Sequence, residues 1–69
     1  MKKLIKVQAE CLNGIYKTEQ FDPHAEVLSF DMFHKSLKTV VDETLACEVT
    51  QEQLAKLHDE YGVKQSHLQ

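Results

Sequence analysis

The sequence predicts an α+β fold in which an N-terminal antiparallel β-hairpin is packed by two α-helices, in the order ββαα, within one small domain spanning residues 1–69. Three observations carry this reading. Asn13-Gly14 separates two strand-like runs, apolar residues recur at helical spacing from Phe30, and Thr50 with Gln53 opens a second helix that Gly62 closes.

Asn-Gly is the dipeptide preferred at the centre of a type I′ turn, where both residues take positive φ. With Leu12 opposite Ile15, the register sets Cys11 against Tyr16, Ala9 against Thr18, Val7 against Gln20 and Ile5 against Asp22. On the other face Glu10 meets Lys17, Gln8 meets Glu19 and Lys6 meets Phe21. Glu10 opposite Lys17 is an attractive cross-strand pair. The face bearing Ile5, Val7, Ala9, Cys11 and Tyr16 needs cover, because a two-stranded ribbon is marginal in water.

Asp22-Pro23-His24 reads as a turn, since proline holds its predecessor extended. Residues 25–28 either begin the next helix early or form a short third strand. From Phe30 the apolar positions 30, 33, 37, 40, 41 and 45 keep the three-and-four spacing of an amphipathic helix. Ser29 is its N-cap, Asp31 suits the positive end of the helix dipole, and Lys35 and Lys38 face solvent. Residues 46–49 are a connector or a short strand. Thr50 and Gln53 form a capping box, and the helix they start buries Leu54, Leu57 and Tyr61 before Gly62. Residues 64–69 are expected to fray.

Composition then limits function. The chain has 69 residues, 42% of them apolar and 28% charged, with two Gly and one Pro, which is the make-up of a folded globule rather than a disordered segment. No apolar run approaches the length of a membrane span. The start Met-Lys-Lys-Leu-Ile imitates a signal peptide, but Lys6, Gln8 and Glu10 break the apolar run that export requires. Two cysteines, Cys11 and Cys47, are too few for a disulfide-stapled secreted domain, so free thiols in the cytoplasm are expected.

Neither cysteine is tied to His24, His34, His58 or His67 by a local motif, and both fall at positions expected to be buried, where a thiol is inert. No His or Cys pair has the short spacing of metal ligands, and two glycines cannot build a phosphate-cradling loop. The sequence therefore assigns no catalytic residue, no metal and no cofactor. All eight basic residues are lysines, so the commonest bidentate reader of guanine is missing.

Residues 54–68, Leu-Ala-Lys-Leu-His-Asp-Glu-Tyr-Gly-Val-Lys-Gln-Ser-His-Leu, resemble the first helix and turn of a lambda-repressor-type helix-turn-helix, with Lys64 where such domains place Ser or Thr. The recognition helix of that motif would lie beyond Gln69. This segment, or phosphate contacts by Lys2, Lys3, Lys6 and Lys17, supplies the alternative reading of a nucleic-acid-associated regulator.

The leading expectation is a non-enzymatic, cytoplasmic protein-binding or regulatory module. Residues 1–38 hold six lysines against five acids, whereas residues 39–69 hold two against six. The partner surface is expected on the apolar stripe of Phe30, Phe33 and Leu37 and on the acidic Asp42 and Glu43. A core this small gains from further burial, so a homodimer is expected, joined through hairpin edges or through the Phe30, Phe33 and Leu37 stripes.

Overall fold

A computed structural model of the chain describes residues 2–12, 14–17 and 22–63. It is mixed α+β: β1 (Lys3–Leu12), β2 (Ile15–Lys17), β3 (Val27–Leu28), α1 (Phe30–Thr39), β4 (Val41–Val49) and α2 (Gln51–Tyr61). The four strands form one sheet in the order β2-β1-β4-β3. Strand β1 is antiparallel to both neighbours, and β3 runs parallel to β4, with α1 as the crossover between them.

The largest departure from the sequence reading is β4. The helix expected to continue to Leu45 stops at Thr39, and residues 41–49 form the strand that pairs with nearly all of β1, from Lys3 opposite Val49 to Glu10 opposite Val41. Thr39, Val40 and Val41 are β-branched and disfavour helix. Beyond them Leu45, Cys47 and Val49 alternate onto the covered face beside Val7, Ile5 and Lys3. The ββαα order is thereby corrected to βββαβα. The extra pairing that hairpin edges were expected to find in a second copy is found within the chain, and β1 lies inside the sheet rather than at its edge. Of residues 25–28, Val27–Leu28 form the short third strand, and Ala25 and Glu26 lie before it outside any regular element.

Near the turn, Leu12 does pair with Ile15, and Gly14 takes φ 76° as the turn requires. Asn13 lies outside the described residues, as do the pairings expected for Thr18, Glu19, Gln20 and Phe21 and the fraying of residues 64–69. The register then departs from expectation. Gln8, not Glu10, is opposite Lys17, so β1 spends two more residues than β2 between the paired positions. Lys17 still reaches Glu10 diagonally, at 3.1 Å.

A second irregularity sits between β1 and β4. Ala9 pairs with Glu43 and Glu10 with Val41, leaving Asp42 bulged with φ 59°. Asp tolerates this left-handed conformation better than most side chains, which explains an acid in a position that favours glycine.

Both helices lie on one face of the sheet. Ile5, Val7 and Ala9 of β1 and Leu45, Cys47 and Val49 of β4 meet Phe33 and Leu37 of α1, Leu54 and Leu57 of α2, and Val63 in a single buried cluster. Ser29 caps α1 by accepting from the Met32 amide at 3.3 Å. Helix α2 has the full capping box: the Gln53 amide donates to Thr50 Oγ1 at 3.2 Å and the Thr50 amide to Gln53 Oε1 at 2.9 Å. Gly62 ends it at φ 73°, its amide donating to the His58 carbonyl. In the turn of residues 22–25, the Ala25 amide donates to the Asp22 carbonyl and the His24 amide to Asp22 Oδ1. No helix among the described residues is long and apolar enough to cross a membrane.

Candidate functional site

Phe33 and Leu37, expected to face a partner, are fully buried. The reason is the amphipathic stripe itself, which the sheet covers from below. Phe30 is half-buried against the same core, its ring 5.8 Å from that of His34. Asp42 and Glu43 are exposed at the bulged end of β4. The expected surface is therefore divided, with its apolar members inside or at the rim and its acids outside.

Chemistry-bearing side chains gather instead where α1, α2 and β2 meet. His34 Nε2 lies 2.5 Å from Glu60 Oε2 and 3.4 Å from the Tyr61 hydroxyl. Tyr61 stacks edge-on against both His34 and Tyr16, with ring centroids 5.4 and 5.1 Å away. The Tyr16 hydroxyl donates to the Leu37 carbonyl, and Cys11 Sγ to the Lys38 carbonyl at 2.9 Å. These two bonds satisfy carbonyls in the last turn of α1, which have no partner within the helix.

Electrostatics in this seam favour order over reactivity. The hydrogen bond from His34 holds the Glu60 carboxyl below its ordinary value. Burial, followed by the nearby Cys11 and Tyr61, pushes the Tyr16 phenol up to about 12. Burial and then Glu60 also raise Tyr61. A phenol so shifted remains a hydrogen-bond donor at neutral pH. The one imidazole nitrogen facing these groups is shared by Glu60 and Tyr61, and the group ties α1 to α2.

Burial pushes Cys47 up to about 11, and among the described residues neither thiol is hydrogen-bonded to a histidine. His67 lies outside the described residues. A shallow cavity of about 260 Å³ runs along α2, lined by Gln51, Leu54, Ala55, His58, Asp59 and Val63. His58 and Asp59 are its titratable members, 3.6 Å apart and both largely exposed. No group of three metal-ligating side chains occurs among the described residues.

The face of the sheet turned away from the helices is the feature that sequence reasoning missed. Leu4, Lys6, Gln8 and Glu10 of β1 point to it, alternating with the buried Ile5, Val7 and Ala9. Ile15 and Lys17 flank the inward Tyr16, Thr44, Ala46 and Glu48 alternate with the core residues of β4, and Val27 pairs with Ala46. Among the described residues five large apolar side chains are exposed: Leu12, Ile15, Val27, Met32 and Val41. All but Met32 belong to this face. Without β4 in the reading, the alternation of β1 marked one strand's outward side and not a four-stranded surface.

No protein-family model, curated protein or solved structure matches the chain.

Proposed function

We propose that this chain is a small, non-enzymatic protein-binding module of a regulatory kind, acting in the cytoplasm and engaging a protein through the open face of its sheet. One observation carries the reading: four of the five exposed large apolar side chains among the described residues share that face. Scattered apolar residues are normal on any surface, whereas a group on one face marks an interaction site. Asp42 stands exposed at the bulged end of the same sheet and supplies a polar rim, whereas Glu43, also exposed, is opposite the inward Ala9 and belongs to the other side. The free thiols of Cys11 and Cys47 suit a reducing compartment.

The nucleic-acid alternative has less support. Lys6 and Lys17 share their face with Glu10 and Glu48, and Lys17 is ion-paired to Glu10. A phosphate-binding surface needs uncompensated positive charge.

Photo-crosslinking in cells tests the proposal. A photoreactive residue at Ile15 is expected to give protein adducts that vanish when Val41→Lys is added, while the same residue at Glu52 on α2 gives none. Equal adducts from both positions, or none from Ile15, would overturn the reading.

A further inference from the structure

Resting on that reading, we infer that the occupant of the open face is a second copy of this chain, packed sheet to sheet about a two-fold axis that runs parallel to the strands between β1 and β4.

Charge is the first argument. The chain carries a net charge of -3, yet the open face balances Lys6 and Lys17 against Glu10 and Glu48. A strongly acidic or basic partner finds no complementary field there. A second copy does, because the face presents both signs to itself.

Register is the second. The stated axis lays β1 of one copy over β4 of the other with rows preserved. Lys6 of each copy then stands over Ala46 of the other, one row from Glu48, since Lys6 pairs with Ala46 and Leu4 with Glu48. Ala46 is itself covered by its row neighbours Lys6 and Val27, so the contact made across the axis is with Glu48 rather than with the alanine. Two symmetric Lys6–Glu48 pairs result, as an isologous interface requires. Leu12 of each copy comes to lie beside Val41 of the other, with Ile15 at the margin of the contact.

Strand addition at an edge is a poorer route. The edge strands β2 and β3 are three and two residues long, too short to template a partner strand. Strand β2 flanks β1 at Gln8 and Leu12 and β3 flanks β4 at Ala46 and Cys47, so the face is three strands, roughly 14 Å, wide at any level and the interface is small. The dimer is accordingly weak and concentration-dependent.

Sedimentation from micromolar to millimolar chain tests this. The expected mass rises from one 8.0 kDa chain towards two. Glu48→Lys weakens association by about tenfold or more, the double change Lys6→Glu with Glu48→Lys restores it, and Ile15→Lys weakens it again. Circular dichroism confirms that each variant keeps its fold. A one-chain mass at millimolar concentration, or association indifferent to all of these changes, would overturn the inference. Crosslinks from Ile15 separate the two proposals. Adducts of two-chain mass support both, adducts with other proteins alone sink the dimer and leave the module, and the absence of any adduct sinks both.

Discussion

The two faces of the sheet are built from the same strands by strict alternation, yet they are governed by different demands. On the covered face Ile5, Val7, Cys47 and Val49 meet both helices and are fully buried. On the open face Ile15 and Val41, equally apolar, are more than half exposed. The outer side contributes nothing to the core, and along β1 and β4 it is largely polar, with Lys6, Gln8, Glu10, Thr44 and Glu48 between its apolar ends. The difference separates residues that hold this chain together from residues that its core does not use.

The strongest way to break that contrast is Phe33→Ala. It empties the centre of the covered face and should cost about 3–5 kcal/mol, read as a lower urea midpoint. Such a loss is a large share of the stability of so small a domain. Thr50→Ala removes one half of the α2 capping box and should cost about 1 kcal/mol by the same measurement. Asp42→Gly relieves the left-handed bulge and should raise stability by only about 0.5 kcal/mol, because glycine's greater loss of freedom on folding offsets part of the relief. At the small end, Ile15→Thr or Val41→Thr on the open face should move the midpoint by less than about 0.5 kcal/mol in dilute solution. If either open-face change proved as costly as Phe33→Ala, the division of labour between the faces would be wrong.

pH sharpens the same comparison. Tyr16 is raised in the fold, so its contribution is complete below the ordinary value of 10.0 and is lost as pH climbs towards about 12. Glu60 is lowered, so its contribution is complete above 4.5 and fades in acid. Denaturation midpoints followed across pH should fall at both ends. Tyr16→Phe should flatten the alkaline fall and Glu60→Gln part of the acid one.

The parts of this fold legible in the sequence are those with local chemical punctuation. Thr50, Gln53 and Gly62 mark both ends of α2 within one stretch of chain, and Ser29 marks the start of α1. The end of α1 has no such mark: its C-cap is Val40, whose amide donates to the Ser36 carbonyl at 2.8 Å, and no glycine interrupts the stripe. Val40, Val41 and Leu45 happen to continue a helical spacing while Leu45, Cys47 and Val49 keep a strand's alternation. What decides between them is pairing with β1, far away in sequence. The burial of Phe33 and Leu37 is written in their periodicity. The open face is not, because a face belongs to several strands at once and the helical spacing through Val41 and Leu45 masks the first half of one of them. The seam of His34, Glu60, Tyr61 and Tyr16 was equally hidden, since no two of its elements are joined by a short motif.

Lys3 pairs with Val49, and that separation along the chain decides how the sheet closes. Strand β1 has only the short β2 near it in sequence, whereas β4, its principal neighbour, lies beyond α1. Until β4 joins, Ile5 and Val7 have neither a long strand beside them nor α2 above them, so a refolding chain carries its most apolar ribbon uncovered. Refolding yield is expected to fall as chain concentration rises, because aggregation competes with this late closure.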